Sequence, residues 1–87
     1  MSFNIFLTSK TSRSLEKLPE EIKTEVTGKI EELSLNPLPR GVAKLRGLKD
    51  AYRIRVGKYR ILYRILWVSR TIIVFRISLR EEAYRGF

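Results

Sequence analysis

Residues 44–63, KLRGLKDAYRIRVGKYRILY, decide the fold of this chain, because arginines alternate there with apolar residues on both sides of Gly57. A period of two residues is typical of β-strands, whose successive side chains point to opposite faces of a sheet. The pattern predicts one strand over 51–56 and a second over 59–67. Gly57 and Lys58 form the two-residue turn between them, with glycine at the first central position. The hairpin therefore has an apolar face and an arginine face.

The apolar face of the hairpin is predicted to pack into the core. It is made of Tyr52, Ile54, Val56, Tyr59, Ile61, Tyr63, Ile65 and Trp67. Its aromatic residues suit a core better than a base-stacking surface, because the alternation puts them on the apolar side. The opposite face carries Arg53, Arg55, Arg60, Leu62, Arg64 and Leu66.

The segment before the hairpin predicts one strand and two helices. Residues 3–7 are rich in β-forming residues, and the Thr8 and Ser9 that follow suit the N-cap of a helix over 9–18. Pro19 fits the first turn of a second helix. The apolar stripe of that helix is Ile22, Val26, Ile30 and Leu33, at spacings of four, four and three. The turn residues between Asn36 and Gly41 end it.

The segment after the hairpin predicts a last strand over 71–78, TIIVFRIS. We expect Ile73, Phe75 and Ile77 to pack inward, with Arg76 and Ser78 on the arginine face. The tail that follows brings more charged and aromatic residues past the edge of this face, namely Arg80, Glu81, Glu82, Tyr84 and Arg85.

The element order is thus β-α-α-β-β-β, and all 87 residues form one domain of the α+β class. The predicted architecture is a curled, mostly antiparallel sheet with the N-terminal helical hairpin packed on one face. The first strand lies beside a C-terminal strand. The other face of the sheet is left concave and basic.

The basic residues are concentrated after the helices. Residues 1–36 carry five Lys or Arg and six Asp or Glu, whereas residues 37–87 carry thirteen and three. The positive charge of residues 37–87 attracts nucleic acid above all, and it would also attract an acidic protein or a membrane surface. A basic surface that only keeps the protein soluble is the alternative. Charges at alternate positions of adjacent strands favour binding, and the excess of arginine over lysine favours bidentate phosphate contacts.

The composition also limits the chemistry. The chain has neither Cys nor His, which excludes disulfides, the commonest zinc sites and any mechanism that depends on either residue. The longest run without a charged residue is 1–9, far shorter than the ~20 apolar residues that span a bilayer. We therefore expect a cytoplasmic protein that binds no membrane, metal or cofactor.

Several pieces of the sequence together resemble a known family. KLRGL at 44–48, AYRIRVGKYRILYRI at 51–65, the apolar strand after them and SLREEAY at 78–84 are similar to the RelE toxins of the RelE/ParE superfamily. These are the toxin halves of prokaryotic type II toxin–antitoxin pairs. The resemblance implies a fold like that of microbial ribonucleases and metal-free cutting of messenger RNA in the ribosomal A site. It also implies an acidic or amphipathic RelB-like antitoxin that covers the active surface.

The resemblance assigns roles to individual residues. Arg46 matches an arginine that contacts the RNA backbone, and Arg60 matches the arginine at the scissile phosphate. Arg80 matches the arginine before the C-terminal segment. Tyr84 matches a tyrosine that stacks on a base, although a tyrosine that seals the end of the core would look the same in the sequence.

The chain departs from the family pattern at Arg53 and Arg55, where RelE toxins commonly have lysines. A guanidinium has a pKa above ~12, so it stabilises negative charge well but is a poor general acid or base. Proton transfer then falls to Tyr84, to Glu81 or to ribosomal RNA, or else the chain cleaves weakly.

These considerations give a set of candidate site residues and three candidate functions. We expect Arg53, Arg55, Arg60, Arg80 and Tyr84 to be catalytic, and Lys44, Arg46, Arg64, Arg76 and Arg85 to bind RNA. Leu62 and Leu66 are expected to contact the antitoxin. The leading function is a ribosome-dependent endoribonuclease toxin, in which the ribose 2′-hydroxyl attacks the adjacent phosphorus. The alternatives are a non-enzymatic toxin of the ParE branch that inhibits gyrase, and an RNA-binding or regulatory module.

Overall fold

The computed structural model describes residues 2–79 and contains five strands and two helices in that part of the chain. In chain order these are β1 Asn4–Leu7, α1 Ser9–Glu16, α2 Glu20–Leu35, β2 Ala43–Lys44, β3 Ala51–Val56, β4 Tyr59–Leu66 and β5 Thr71–Leu79. The sheet order is β1-β5-β4-β3-β2. The first strand is parallel to β5, and all other pairs are antiparallel. The predicted α+β class and the position of the first strand beside the last are confirmed, whereas the two-residue strand β2 at the edge of the sheet was not predicted.

Local sequence sets the ends of the two helices. Thr8 caps α1, and its Oγ1 accepts a hydrogen bond of 3.2 Å from the Thr11 N–H. The helix is two residues shorter than predicted, since the Leu18 N–H bonds to the Leu15 carbonyl oxygen in a tighter turn and Pro19 disfavours helical geometry in the residue before it. Pro19 then precedes α2, whose first turn holds two glutamates at the positive end of the helix dipole.

The hairpin turn has the predicted form. Gly57 has a φ of 57°, and the two flanking strands pair residue for residue from Val56 opposite Tyr59 to Ala51 opposite Arg64. A positive φ at the first central residue is typical of a type II′ turn, in which glycine avoids the clash of a Cβ. The turn therefore fixes which side chains of β3 and β4 share a face.

A β-bulge in β5 changes the predicted faces of that strand. Leu62 of β4 pairs with Arg76, but the next residue, Tyr63, pairs with Val74, so Phe75 is an extra residue. An extra residue reverses the alternation of faces on one side of it. The buried residues of β5 are consequently Ile72, Val74 and Ile77. The prediction was right for Ile77, Arg76 and Ser78, and wrong for Ile73 and Phe75, which lie on the opposite face.

The strand β4 also ends one residue earlier than predicted, at Leu66. Trp67 was expected in the core, but it begins the turn to β5 and is 45% exposed. Its ring lies edge-on to Phe3 with 5.7 Å between centroids, and the Arg70 guanidinium lies 5.9 Å from the same Phe3 ring. The alternation of faces that predicted a buried Trp67 applies only within the strand, and the strand ends at Leu66.

The main core lies between the helices and one face of the sheet. From α2 it takes Val26, Ile30 and Leu33, as the apolar stripe predicts, and from the sheet it takes Ile54, Val56, Ile61, Tyr63, Ile65, Ile72, Val74 and Ile77. No helix within residues 2–79 is long and apolar enough to cross a membrane.

Tyr63 is the largest fully buried side chain of this core. Its hydroxyl donates a hydrogen bond of 2.7 Å to the Pro37 carbonyl oxygen in the loop after α2. Burial raises the pKa of Tyr63 above its ordinary value of 10.0, and electrostatic repulsion from Tyr52 raises it further. The centroids of the two rings are 6.0 Å apart. Because an ionised phenol could not donate this bond, the core holds Tyr63 in its neutral form.

We expect Tyr63→Phe to be less stable than wild type by about 1 kcal/mol near neutral pH, since one hydrogen bond is lost and the Pro37 oxygen loses its partner. A raised pKa in the folded state gives stability that is complete below the pKa of the unfolded tyrosine and is lost above it. The difference should therefore shrink as the pH rises above about 10. Urea unfolding of both proteins across this range tests it, and identical pH profiles would contradict it.

Candidate nucleic-acid interface

Four arginines converge on the face of the sheet opposite the main core. Strand register places Arg55 directly opposite Arg60, and it places Arg53 and Arg76 on either side of Leu62. Directly opposite residues in antiparallel strands have Cα atoms about 4.5–5.5 Å apart. These four residues, called the arginine cluster below, therefore bring guanidinium groups from three neighbouring strands to one surface.

Arg60 differs from its neighbours in burial. It is 5% exposed, whereas Arg55 is exposed and Arg53 and Arg76 are half-buried. The alternation predicted the face of Arg60 correctly, but a period of two cannot distinguish a surface residue from one that neighbouring strands cover. A guanidinium remains charged in any such environment, and electrostatic interactions strengthen where water is excluded. Arg60 is thus the most buried member of the cluster.

Negative charge is segregated from this surface. The six glutamates of residues 2–79 all lie in α1 and α2, and Asp50 lies in the turn before β3. The salt bridge formed within the described part of the chain joins Lys29 to Glu32 on α2, at 3.0 Å. Like charges directly opposite on paired strands are destabilising, so folding stability does not explain why Arg55 stands opposite Arg60.

The structure separates other predicted RNA-binding residues from the cluster. Lys44 pairs with Tyr52, so it lies on the face of Tyr52 and not on that of Arg53. Arg64 is on the arginine face, but its Nε donates a hydrogen bond of 3.0 Å to the Lys49 carbonyl oxygen. That hydrogen bond holds the loop before β3. Arg46 is exposed in the same loop, at the edge of the sheet.

Leu62 is not available for an antitoxin contact, contrary to the prediction. It is fully buried in a second, smaller core with Leu45 and Ala51, against which Leu48 and Phe75 pack. The loop after β2 covers it. The sequence feature that could have predicted this burial is the pair Leu45 and Leu48 in KLRGL, which puts two apolar side chains on one short loop. Leu66, the other residue predicted to touch the antitoxin, is 39% exposed.

Exposed apolar residues occupy the part of this face that is distant from the cluster. Phe6 of β1 pairs with Ile73, and Leu66 pairs with Thr71 at the same end of the sheet. Phe6 is 64% exposed, since its neighbours Ile5 and Leu7 turn toward the main core. The arginine face therefore has a basic part and an apolar part. β1 has only four residues, and a pattern this short did not predict that Phe6 is exposed on the arginine face.

The remaining predicted site residues, Arg80, Tyr84 and Arg85, lie outside the described residues, as do Glu81 and Glu82. Their assignment stays a prediction. The last described strand ends at Leu79, one residue beyond the Ser78 that pairs with Arg60.

Comparisons with known proteins agree on one group of toxins. A family model described as the ParE toxin of the type II toxin–antitoxin system parDE matches residues 5–84. The chain is 36% identical to the putative toxin RelE1 of Methanocaldococcus jannaschii, over 99% of both chains. It is 33% identical to a chain in the toxin–antitoxin complex RelBE2 from Mycobacterium tuberculosis, with a TM-score of 0.79 over 92% of this chain and 100% of that one. A chain in the archaeal RelE–RelB complex from Pyrococcus horikoshii is 27% identical, with a TM-score of 0.83 over 95% and 100%.

The two leucines of β4 should respond differently to truncation. We expect Leu62→Ala to lower the free energy of unfolding by about 2–5 kcal/mol, because it leaves a cavity in the second core. The matched change Leu66→Ala should stay within about 0.5 kcal/mol of wild type, as for most exposed sites. Chemical unfolding of both variants measures this. A small effect for Leu62→Ala would mean that the loop after β2 does not cover it in solution.

Proposed function

Because this chain belongs to the RelE-type toxins of the RelE/ParE superfamily, in type II toxin–antitoxin systems, we propose that it cuts messenger RNA in the A site of the translating ribosome. The arginine cluster is the observation that carries the proposal. It supplies several fixed positive charges at one point of the surface, where a phosphodiester in the course of cleavage accumulates negative charge. The basic excess of residues 37–87 concentrates RNA at the same surface.

In the proposed reaction the ribose 2′-hydroxyl attacks the adjacent phosphorus in line with the departing 5′-oxygen. The new bond joins the 2′-oxygen to phosphorus, and the bond from phosphorus to the 5′-oxygen breaks. The products are a 2′,3′-cyclic phosphate and a 5′-hydroxyl end. In this proposal Arg60 and Arg55 hold the non-bridging oxygens, because a guanidinium binds phosphate through two parallel N–H donors. Arg53 and Arg76 hold the neighbouring backbone, which aligns the attack.

The two proton transfers need a different group. The 2′-hydroxyl loses a proton and the 5′-oxygen gains one. A protonated guanidinium cannot accept the first proton and is too weak an acid to donate the second near neutral pH. We propose that ribosomal RNA, or Tyr84 and Glu81 of the tail, provides these transfers. The cluster supplies charge stabilisation and alignment but no group that exchanges protons near neutral pH, so cleavage depends on the ribosome where ribosomal RNA provides these transfers.

We expect Arg60→Ala to slow single-turnover cleavage on programmed ribosomes by roughly 10²–10³-fold, the range for removing one preorganised donor to a transition-state oxyanion. Arg60→Lys should recover only part of the rate, because lysine keeps the charge and loses the bidentate geometry. Primer extension on the messenger gives the rate and the cut position. A naked transcript should stay largely intact under the same conditions.

The control for this experiment is Arg13→Ala, which removes one exposed guanidinium from α1. It should cleave as wild type does. Thermal midpoints of all variants show whether each is folded, which matters because Arg60 is buried. If folded Arg60→Ala cleaves at the wild-type rate, or if wild type rapidly degrades naked RNA, the proposed mechanism is wrong.

We also propose that a RelB-like antitoxin, acidic or amphipathic, inhibits this toxin by covering the arginine face. Solved structures of related proteins include complexes of RelE with RelB, which supports such a partner. Acidic side chains would neutralise the cluster, and apolar ones would cover Phe6 and Leu66 in the apolar part of the face. Both properties of the antitoxin are thus matched by adjacent parts of one surface.

Phe6→Ser should weaken antitoxin binding by roughly tenfold or more, because burial of a phenylalanine side chain is worth about 1.5–3 kcal/mol. The matched control is Leu35→Ser, which changes a residue 76% exposed at the end of α2. Isothermal titration with the cognate RelB-like antitoxin measures both. Equal decreases in affinity for the two variants, or none for Phe6→Ser, would place the antitoxin elsewhere.

The family model supports a second candidate function, because it is described by the name ParE. A ParE-like toxin would inhibit DNA gyrase by binding it and would cut no RNA. Gyrase supercoiling assays run beside the ribosome assay separate the two. Inhibition of supercoiling by wild type, with no cleavage of the messenger, would favour the second candidate.

A further inference from the structure

A small cavity lies between α1 and the second half of β5, next to the arginine cluster. Its volume is about 140 Å³. It arises because the pairing of β1 with β5 ends at Leu7 opposite Val74. Beyond that point α1 continues along the edge of β5, and the Thr8 N–H still bonds to the Val74 carbonyl oxygen at 3.2 Å. The cavity is lined by Lys10, Thr11, Ser14, Phe75, Arg76, Ile77 and Ser78.

Ser78 contributes a hydroxyl oxygen that is buried and has no hydrogen-bond partner among residues 2–79. A buried polar group without a partner costs free energy, whereas replacing it with an apolar group of similar size is neutral or stabilising. The same residue pairs directly with Arg60 on the neighbouring strand. The unsatisfied hydroxyl is therefore one strand away from the most buried member of the arginine cluster.

The lining of the cavity suits an anion that has several oxygen atoms. Lys10 and Arg76 supply positive charge, and the hydroxyls of Ser14 and Ser78 supply hydrogen-bond donors. Within residues 2–79, no carboxylate is among the residues that line it. Lys10 and Thr11 stand in the first turn of α1, where the helix dipole favours negative charge. Phosphate is an anion of this kind, and RNA carries one phosphate for each nucleotide.

We propose that this cavity is a subsite for the RNA phosphate next to the one held at Arg60. The inference rests on the proposed function for the identity of the ligand. β4, β5 and α1 lie side by side in that order, so an RNA strand that runs across them places successive phosphates first at Arg60 and then at Lys10, Ser14 and Ser78. Lys10, Ser14 and Ser78 are binding residues that align the scissile group.

The test measures binding of a short 2′-O-methyl RNA, which cannot be cleaved, by fluorescence anisotropy at a series of salt concentrations. For single-stranded RNA, each phosphate that the protein neutralises contributes about 0.7 to the slope of log K against log salt. Lys10→Gln should therefore reduce the slope by about 0.7, whereas Arg13→Gln should not. Arg13 is exposed on the same helix and does not line the cavity, so equal decreases for the two variants would show a diffuse field and overturn the proposal.

Ser78→Ala separates a binding role from a structural one. It should weaken RNA binding roughly tenfold, as expected for one hydrogen bond to a charged group, while the thermal midpoint stays constant or rises. A lower midpoint with unchanged RNA affinity would show that the hydroxyl serves the fold, and it would overturn the proposal. Competition by inorganic phosphate that depends on Ser78 and Lys10, without any effect of either variant on RNA binding, would assign the cavity to a free anion instead.

This assay does not require cleavage. The expected binding results would support the subsite even if wild type failed to cut messenger RNA on ribosomes, in which case only the nuclease function would fall. Wild type that does not bind the oligonucleotide overturns the subsite.

Discussion

The central strand β4 has to satisfy two opposite environments at once, and the rest of the molecule follows from that constraint. It pairs with β5 along its whole length and with β3 from Tyr59 to Arg64, so each of its side chains is committed to one face of the sheet. Ile61, Tyr63 and Ile65 are almost fully buried against the helical layer. Arg60, Leu62 and Arg64 lie on the other face. The free energy gained by burying apolar side chains on the first face offsets the repulsion among the arginines on the second face.

Sequence patterns were sufficient wherever a local rule decides the structure. The alternation around Gly57, the stripe of α2 and the cap at Thr8 each specify an element through neighbours in the chain, and all three agree with the fold. They failed where distant segments decide. TIIVFRIS is apolar at so many positions that either face of β5 could be the core face, and only pairing with β4 reveals that Phe75 is an extra residue. Leu62 is buried by a loop that comes earlier in the chain, which no period can indicate.

The same division applies to the candidate site. Arg53, Arg55 and Arg60 could be placed together from the sequence, because their faces depend only on counting from the turn at Gly57. Arg76 was also assigned to the correct face, but it follows the bulge in β5, and only the pairing of Arg76 with Leu62 establishes its position. Lys44 could not be placed from the sequence, since the register of the two-residue strand β2 against β3 depends on the loop between them. The burial of Arg60 and the cavity at Ser78 also required the fold, because both depend on the packing of α1 and β5 around them.

The parallel pairing of β1 with β5 has a consequence for the order of events during synthesis. Asn4 pairs with Thr71, so β1, which is synthesised first, cannot pair until β5 has been synthesised. Contacts between residues so far apart in the chain form slowly and late, because a long loop must close first. The arginines of β3 and β4 are held in register with Arg76 only after β5 has been made. The arginine surface of a nascent chain is therefore incomplete until β5 has been synthesised and has paired with both β1 and β4.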